Sequence, residues 1–411
     1  MTSLVKIPSR PSKPSVAPRR VAVFAGNYVD VVDGVSKTIR RLVAHLRRRG
    51  DQVMVFAPCG PDPALTKDPQ QVVLPSVPLC GVGQPGYRYS FCLSGAAREA
   101  LEAFGPDLVH LTGPGCASAG AITWARRRAI PVVGSFHTNF ASYFRFLRGW
   151  RWFEPVAWKL VTRFYSALDR VFVPTPSMLE ELRRKRMTAS AEVWARGVEL
   201  SEFSPERRDL AWRRGMGIQD DEVVVTFIAR LNWEKGLKRL ARVLEALEAR
   251  GVRHRVMIVG EGPGESYLRD RLPRAIFTGF LSGDALRRAY ASGDVFVYPS
   301  ETDTFGNVTL EAMASGLPVV AVDAPGTRCV AGDSAGVVLC DRDDITGLTH
   351  ALAEFVEDSN RRREAGDRAR ERAARFTWSA VLDGLCSSYE DVLRLHARVL
   401  DREIPSLQTP A

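Results

Sequence analysis

The sequence predicts an α/β protein with two doubly wound parallel sheets, one in each half of the chain. Short apolar runs rich in Val, Ile and Phe alternate with amphipathic helical stretches, which is the pattern of repeated strand–helix–strand units. The alternation is interrupted by the link Arg196–Pro205, RGVELSEFSP, and then starts again. With 411 residues, 45% of them hydrophobic, the chain is long enough for two packed cores. We therefore expect two domains with a cleft between them and ligands at the carboxyl ends of the strands.

The first half begins with a basic segment, 1–19, that contains several prolines and no acid and is predicted to be a flexible tail. The first predicted helix, Ser36–Arg48, carries its apolar residues on one face. The predicted strands of this half are Arg20–Ala25, Gln52–Ala57, Gln71–Leu74, Leu108–Leu111, Val132–Phe136, Val171–Val173 and Glu192–Trp194. Together they indicate a first domain over 20–200.

The second half repeats the pattern with a predicted domain over 201–378. Its strands are expected at Val223–Ala229, Arg255–Val259, Ala275–Gly279, Val295–Tyr298 and Pro318–Val322. A helix is predicted at Leu237–Leu247, and the arginine-rich run Ile345–Phe376 is also predicted to be helical. The final amphipathic helix, Trp378–Leu400, belongs to a C-terminal segment, 379–411.

Charge and cysteine usage indicate a reducing compartment and an anionic partner for the first half. Residues 1–200 carry 28 Lys and Arg against 14 Asp and Glu, whereas the remainder carries 29 against 33. Seven cysteines without a CxxC pair fit reduced thiols and not a zinc site. No run of about 18 apolar residues predicts a membrane span, and no apolar run follows the basic N-terminus as in a secretory signal. We expect a cytoplasmic protein.

The stretch Val297–Val322 predicts a strand, a polar loop, a helix and a second strand. Asp303 in the loop and Glu311 on the helix are eight positions apart, and Thr304 is a predicted cap of the helix. The segment Phe305-Gly306-Asn307 places backbone N–H groups at the helix N-terminus, where the helix dipole favours an anion. A carboxylate beside such amides is suited to bind sugar hydroxyls and a phosphate together.

Charged and glycine-containing loops follow other predicted strands. Arg230 and Lys235, in ARLNWEKG, come directly after a strand and are spaced to bracket a diphosphate, although two solvated charges are the alternative. Gly34 and Val35 lie between the first strand and the first helix, where a glycine lets backbone approach a phosphate. An ordinary turn is the alternative there, since the loop matches neither GxGxxG nor a P-loop.

Two further loops have weaker patterns. Gly260 and Gly262, in VGEGPG, allow a tight turn that is able to approach a base or ribose, but a lone glycine loop is weak support. His137, in FHTNF, follows a strand and faces the expected cleft, where it is suited to donate to a sugar hydroxyl or share a proton. A structural histidine that caps the next helix is the alternative.

An aromatic and basic stretch, Phe140–Phe164, has Glu154 as its only acid. Trp and Arg mixed at this density suit a bilayer interface with anionic headgroups. Core packing of the aromatics is one alternative, and nucleic-acid binding is another, but no nucleic-acid module is legible. The basic run Arg183–Arg186 adds to this surface only if it lies beside the stretch. The residues predicted to face the membrane are Arg145, Arg148, Trp150, Arg151 and Trp152.

Taken together, these motifs resemble the family 4 retaining glycosyltransferases, which have the GT-B fold of two facing Rossmann-like domains. The resemblance covers about residues 20–395, and its specific carriers are ARLNWEKG, VGEGP and PSETDTFGNVTLEAMASGLPVV, in that order. FHTNFASYF and RGVELSEFSP are similar to a subgroup with bacterial glycolipid α-mannosyltransferases and sulfoquinovosyl diacylglycerol synthases. The resemblance implies an acceptor-binding first domain, a donor-binding second domain and a C-terminal helix that crosses back to the first.

The resemblance also implies a role for each matching residue. Arg230 and Lys235 would hold the donor diphosphate, and Glu311 the nucleotide ribose. Asp303 stands where the family usually has a Glu that contacts the transferred hexose, and its shorter side chain leaves the donor sugar open. The backbone amides of Phe305, Gly306, Asn307 and Val308 would donate hydrogen bonds to the sugar and phosphate. His137 would contact the sugar near the anomeric carbon. The Gly34 loop would lie against the diphosphate.

The implied reaction is retaining transfer of a hexosyl group, mannosyl favoured, from GDP-mannose or a UDP-sugar to a lipid-linked or glycolipid acceptor. Cations and helix amides would stabilise the departing diphosphate, so no metal or other cofactor is expected. Front-face attack is expected, with a covalent intermediate as the alternative. The enzyme would lie peripherally on the inner face of the membrane and bind no nucleic acid. A nucleotide-sugar epimerase of the same fold and a non-catalytic membrane-binding or partner-binding protein are the rival functions.

Overall fold

A computed structural model describes residues 18–28, 34–58, 68, 70–79, 87–137, 141 and 151–403 of the chain. The chain forms two compact units. The first unit contains Met1–Trp194 together with Ser379–Ala411, and the second contains Ala195–Trp378. Each unit is built on its own sheet of parallel strands, with helices between successive strands.

The first unit has a seven-stranded parallel sheet and a small antiparallel hairpin. Its strands are β1 (Arg20–Phe24), β2 (Gln52–Ala57), β3 (Gln71–Val73), β4 (Ser76–Pro78), β5 (Arg88–Ser90), β6 (Leu108–Leu111), β7 (Val132–Ser135), β8 (Arg170–Val173) and β9 (Ser190–Val193). The sheet order is β3-β2-β1-β6-β7-β8-β9, and β4 pairs with β5. Its described helices are α1 (Gly34–Arg48), α2 (Gly95–Phe104), α3 (Cys116–Arg126), α4 (Glu154–Tyr165) and α5 (Pro176–Arg184).

The second unit has a six-stranded parallel sheet. Its strands are β10 (Val224–Ile228), β11 (Arg255–Val259), β12 (Ile276–Phe277), β13 (Val295–Tyr298), β14 (Val319–Val322) and β15 (Val337–Cys340). Its helices are α6 (Leu210–Gly215), α7 (Leu237–Ala249), α8 (Glu265–Arg271), α9 (Gly283–Ala291), α10 (Asn307–Ala314), α11 (Pro325–Ala331), α12 (Ile345–Glu357) and α13 (Ser359–Ala373). The order β12-β11-β10-β13-β14-β15 is that of a dinucleotide-binding Rossmann sheet, in which the strand order reverses between β10 and β13.

The central strands are buried on both faces, which is why they are continuous apolar runs in the sequence. Every residue of β10, β13 and β14 is buried. The helix α7 covers the second sheet with a stripe of leucines at helical spacing, including Leu240, Leu244 and Leu247. The two predicted doubly wound sheets are therefore confirmed.

The run Ile345–Phe376 is helical, as predicted, but it is not one continuous helix. It is divided into α12 and α13 at Asp358, whose backbone is extended. The Asp358 carboxylate accepts hydrogen bonds from the backbone N–H groups of Asn360 and Arg361, and so caps the second helix. The strand β15 and the hairpin of β4 and β5 were not predicted.

The last helix, α14 (Trp378–Glu403), packs on the first unit. Its Asp383 accepts hydrogen bonds from His45 of α1 and from Arg49, which directly follows α1, at 3.0 and 3.1 Å. The backbone oxygen of Cys386 accepts a bond of 3.1 Å from the Arg19 guanidinium. The chain therefore returns to its first unit after completing the second, as the resemblance implied.

Candidate functional site

The candidate site of the second unit lies where the strand order reverses. In open parallel sheets, ligands bind outside the carboxyl ends of the strands at this point. The loop after β10 carries Arg230 and Lys235, and the loop after β13 carries Asp303. The fold thus brings to one sheet edge two loops that are far apart in sequence.

Lys235, Asp303 and Tyr298 form a hydrogen-bonded cluster at this edge. The Lys235 ammonium donates to one oxygen of Asp303 at 2.9 Å, and their side chains are 13% and 23% exposed. The Tyr298 hydroxyl donates a short hydrogen bond to the other carboxylate oxygen. Burial, followed by the charge of Asp303, holds the pKa of Tyr298 well above its usual value, so the phenol remains a donor. Both oxygens of Asp303 are therefore occupied and its orientation is fixed.

Glycine lets the two loops approach each other. Gly236, which follows Lys235, has φ +74°, and a Cβ there would collide with the backbone oxygen of Pro299. Arg239 of α7 donates to the same oxygen at 2.6 Å and to the Glu301 carboxylate at 2.6 Å. These two hydrogen bonds hold the loop after β13 against the first turn of α7.

Arg230 is an exposed cation close to the cluster. Burial and the charge of Asp303 raise the pKa of Tyr298, and the positive charge of Arg230 opposes them. Among the residues that the structure describes, no ion pair joins Arg230 to a carboxylate. Its donors are therefore available to an anionic ligand.

Glu311 lies on α10 and is held by a second tyrosine. The Tyr290 hydroxyl of α9 donates to Glu311 Oε2 at 2.9 Å. Tyr290 is fully buried, and burial together with the charge of Glu311 raises its pKa well above the usual value. The phenol is thus a donor that fixes one oxygen of the carboxylate.

The N-terminus of α10 is capped by Gly306 and not by Thr304, so that prediction is wrong. Gly306 has φ +88° and provides no side-chain cap, whereas the N–H of Leu310 is the first to bond within the helix, to the Gly306 oxygen at 3.0 Å. The N–H groups of Asn307 and Val308 precede this bond and have no acceptor in the helix ladder. Phe305 is buried and Asn307 is exposed.

Gly260 and Gly262 have a packing role. A Cβ at Gly260 would collide with the backbone oxygen of Ala229, and one at Gly262 would lie 2.7 Å from the Leu231 oxygen. Both glycines have positive φ, at +129° and +158°. They bring the loop after β11 against the loop that contains Arg230.

The first unit positions His137 and Gly34 at the carboxyl ends of β7 and β1. His137 is buried, and its Nε2 lies 2.7 Å from the Ser135 Oγ. Gly34 is exposed and is the first residue of α1, followed by the partly exposed Val35. The helix therefore begins two residues earlier than predicted, and residues 29–33 of the preceding loop lie outside the described residues.

The predicted membrane-facing residues are only partly described. Arg145, Arg148 and Trp150, and the side chain of Arg151, lie outside the described residues. Trp152 is 69% exposed, whereas Trp158 of the same aromatic stretch is buried. The stretch thus contributes both to the core and to the surface.

The described residues contain neither a candidate metal site nor a candidate membrane span. Within the ranges given above, no group of three or more His, Cys, Asp or Glu side chains is arranged to hold a metal ion. No described helix combines the length and hydropathy needed to cross a bilayer.

The tyrosines of the site were missed in the sequence. Tyr298 was predicted only as the last residue of a strand, and no element was predicted over Tyr290. Their signal was a phenol in a buried position, because a buried hydroxyl requires a hydrogen-bond partner. The partner itself is visible only in the fold.

Comparisons with known proteins agree with this architecture. Residues 32–202 match the model of Glycosyltransferase Family 4, and residues 209–372 match that of Glycosyl transferases group 1. A GDP-mannose-dependent alpha-mannosyltransferase from Mycolicibacterium smegmatis is 35% identical over 91% of this chain and 98% of its own. A sulfoquinovosyl transferase from Arabidopsis thaliana is 31% identical over 89% of this chain and 72% of its own. These are the two kinds of relative that the motifs indicated.

Solved structures show the same fold. A sucrose-phosphate synthase from Thermosynechococcus elongatus superimposes with a TM-score of 0.69 at 20% identity, covering 92% of this chain and all of that one. The Anabaena protein HepE, solved in complex with UDP-glucose, has a TM-score of 0.68 at 17% identity, covering 91% of this chain and all of that one. The chain therefore belongs to glycosyltransferase family 4, has the GT-B fold and is a glycosyltransferase, which confirms the family, fold and enzyme class predicted from its motifs.

Proposed function

We propose that this glycosyltransferase moves a mannosyl group from GDP-mannose to a lipid-linked or glycolipid acceptor, with retention of the α configuration. The observation that carries the proposal is the cluster of Lys235, Asp303 and Tyr298 beside the N-terminus of α10, whose amides have no side-chain cap. It presents a cation, a fixed carboxylate and free amides where the strand order reverses. The names of the similar mannosyltransferases support GDP-mannose as the donor.

Each donor group has a matching element in the second unit. The diphosphate would be held by Arg230, Lys235 and the amides of Asn307 and Val308. The ribose hydroxyls would donate to Glu311, and the hexose hydroxyls to Asp303. Phe305 would contribute only through its backbone, since its side chain is buried. The glycines at 260 and 262 would act through the loop packing that they allow.

We assign acceptor binding to residues 20–200 and donor binding to residues 201–378. His137 would contact the transferred sugar near its anomeric carbon, and Gly34 and Val35 would lie against the diphosphate. These assignments follow the family resemblance and stay predictions.

In the proposed reaction, the bond between the anomeric carbon and the diphosphate oxygen breaks, and its electron pair remains on that oxygen. The acceptor hydroxyl forms the new bond on the same face of the sugar, and its proton passes to the departing phosphate oxygen. Negative charge grows on the diphosphate while positive charge grows on the sugar. Lys235, Arg230 and the helix amides would stabilise the negative charge on the diphosphate. Such pre-positioned electrostatic groups usually make the largest contribution to lowering the activation barrier.

A donor panel tests this function. GDP-mannose is expected to raise the melting temperature more than UDP-glucose or other UDP-sugars, because a ligand at 100 times its Kd stabilises the fold by about 2.7 kcal/mol. With diacylglycerol or glycosyl-diacylglycerol added, it is expected to yield an α-mannosylated lipid, also in EDTA. Conversion of the donor to an isomer without acceptor would instead establish the epimerase. Absence of both binding and turnover with every nucleotide sugar would contradict the proposal.

We also propose that the acceptor is reached from an anionic membrane surface, with the protein peripheral on the inner face. Trp152 in the turn before α4, and Val156 and Leu160 on α4, are 69%, 43% and 59% exposed and stand four residues apart. Lys159 and Arg163 are exposed on the same stripe. A helix with exposed Trp and Leu beside cations is suited to lie at a lipid headgroup layer.

The basic run Arg183–Arg186 lies beside α4. The Lys185 ammonium is 5.2 Å from the centre of the Trp158 ring. The Thr188 N–H, just after the run, donates to the Ser166 hydroxyl at the end of α4. Lys185 thus approaches α4 on the side of Trp158, opposite the exposed stripe of Lys159 and Arg163, so the run lies next to the helix but is not shown to share that stripe's surface.

Vesicle binding is expected to depend on salt. Phosphatidylglycerol vesicles should bind the protein at about 0.01 M salt and release it at about 1 M, because the Debye length falls from about 30 Å to about 3 Å. Sedimentation measures the bound fraction. Leu160→Ser and the pair Lys159→Gln with Arg163→Gln should weaken binding. Leu395→Ser is the matched control, since Leu395 is exposed to 51% on α14. Equal binding by all variants, or none at low salt, would refute this surface.

A further inference from the structure

The ring of Tyr298 is held by the core of the second unit at the carboxyl end of β13. Tyr298 is the last residue of that strand and is 1% exposed. Its ring stacks against Phe227 of β10 and Phe296 of β13, with 6.2 and 5.9 Å between ring centroids. Both phenylalanines are fully buried. Because side chains in a close-packed core have little freedom, the core, and not the loop that follows, sets the position of the Tyr298 hydroxyl.

The hydroxyl of this fixed ring reaches the loop after β13. It donates a short hydrogen bond to Asp303 Oδ2, whereas the Lys235 ammonium donates to Oδ1 at 2.9 Å. Burial and the charge of Asp303 hold the pKa of Tyr298 well above its usual value, so the phenol stays protonated. A hydrogen bond with the buried Ser300 lowers that pKa, as a donor to the phenol oxygen does. The phenol therefore accepts from Ser300 and donates its one proton to Asp303.

The backbone that carries Asp303 is also fixed. Its carbonyl oxygen lies against Gly326 of α11, where a Cβ would come within 2.5 Å of that oxygen. The carboxylate is thus bounded by the ring of Tyr298 on one oxygen and by the Lys235 ammonium on the other. The space between the backbone at 303 and the phenol consequently suits the length of an aspartate.

Two groups assigned to the donor depend on this contact. Asp303 is assigned to the hexose hydroxyls and Lys235 to the diphosphate. Without the phenol, both oxygens of the carboxylate would be able to turn towards the ammonium, which would then face its counter-ion in place of the phosphates. With the phenol present, one oxygen is kept away from Lys235, and the ammonium retains donors for a ligand.

We propose that Tyr298 is a positioning residue for hexosyl transfer, which holds Asp303 towards the hexose and keeps the Lys235 ammonium directed at the departing diphosphate. This inference rests on the proposed function, in which Asp303 and Lys235 touch the donor. It also makes Tyr298 and Asp303 a matched pair, because the phenol oxygen occupies the space that a longer acid at 303 would need. Glutamate at 303 should therefore function only where the hydroxyl of Tyr298 is removed.

Kinetics of the full-length Tyr298→Phe variant test the positioning role. The substitution keeps the ring and removes only the hydroxyl, so kcat with GDP-mannose is expected to fall by about tenfold. The affinity for GDP, which lacks the hexose, should stay within about twofold of the wild type in calorimetry. A fall in kcat of less than about threefold, or an equal fall in the affinity for GDP, would overturn the role.

The matched pair predicts a rescue that a general packing role does not. Asp303→Glu adds a methylene towards the phenol and is expected to lower kcat by about 10²-fold, because a displacement of about 1 Å costs this much. In the double variant Tyr298→Phe with Asp303→Glu, the methylene gained replaces the hydroxyl lost, which conserves volume. Its kcat should be at least about tenfold above that of Asp303→Glu, whereas independent losses would multiply to about 10³-fold. A smaller recovery would overturn the inference.

Tyr290→Phe is the matched control for the rescue. Tyr290 is an equally buried tyrosine of the same unit, and its hydroxyl donates to Glu311 at 2.9 Å. Combined with Asp303→Glu it should give no recovery of kcat, and recovery there would refute the pairing of Tyr298 with Asp303.

A second background covers the case in which Asp303→Glu does not fold. Tyr298→Phe introduced into Asp303→Ala should cause no further loss of kcat, since the phenol acts through that carboxylate. A further loss of about tenfold would show that Tyr298 acts in another way. If the wild type turns over no nucleotide sugar, the proposed function fails and this inference falls with it, whereas a missing rescue in an active enzyme overturns only the inference.

Discussion

Lys235→Ala is expected to lower kcat/KM for the donor by about 10³-fold, because it removes a cation that faces the departing diphosphate. The ammonium lies 2.9 Å from Asp303 at the edge where the strand order reverses, and Arg230 remains as the only other cation assigned to the phosphates. Charge develops on the diphosphate mainly in the transition state. The loss should therefore fall more on kcat than on the affinity for GDP, which calorimetry measures separately.

The fold should survive this substitution. Asp303 keeps its hydrogen bond from Tyr298, and both members of the ion pair are partly exposed. We expect a cost of about 1 kcal/mol, or about 2–4 °C in the melting temperature. Lys238→Ala is the control, since Lys238 is exposed three positions further on and its ammonium lies 5.9 Å from the Trp233 ring. Wild-type kcat in Lys235→Ala would remove Lys235 from the mechanism.

We could predict that Arg230, Lys235 and Asp303 follow strands, because the strands of a parallel sheet can be recognised in the sequence. A strand buried on both faces has to be an apolar run, so β6, β11 and β13 have the predicted ends. The loops that follow such strands meet at one sheet edge, and this rule requires no knowledge of side-chain contacts.

The tyrosine contacts could not be predicted because they depend on pairs that are distant in sequence. Tyr389 and His110 are 279 positions apart and meet only because α14 returns to the first unit.

Predictions of helix ends from residue type failed where the backbone conformation decided where a helix starts or stops. Thr304 is a good cap by type, but the left-handed backbone of Gly306 starts α10 two residues later. Asp358 interrupts a run that reads as helical throughout, since its side chain bonds to the next backbone instead.

Glu311→Ala is expected to raise the donor KM and lower kcat/KM by about 10²-fold, because the carboxylate is assigned to the ribose hydroxyls. Hydrogen bonds to a charged group contribute about 1.5–3 kcal/mol each, so the loss of one or two such bonds accounts for a decrease in kcat/KM of about 10²-fold. The site is otherwise kept, since Lys235 and Asp303 lie in other loops. In contrast to Lys235→Ala, the affinity for GDP itself should fall in parallel with kcat/KM, because the ribose contact is the same in the ground state and the transition state.

Truncated donors separate this role from a structural one. If Glu311 binds the ribose, a donor with a 2′,3′-dideoxyribose should react poorly with the wild type and no worse with Glu311→Ala, so that the two losses are not additive. Tyr290→Phe is the companion variant, as it removes the 2.9 Å bond to Glu311 Oε2 while keeping the carboxylate. The decrease in kcat/KM in Tyr290→Phe should be smaller than in Glu311→Ala and should occur only with the ribose-containing donor. Additive losses for Glu311→Ala and the truncated donor would place the carboxylate away from the ribose and leave it as the partner of a buried phenol.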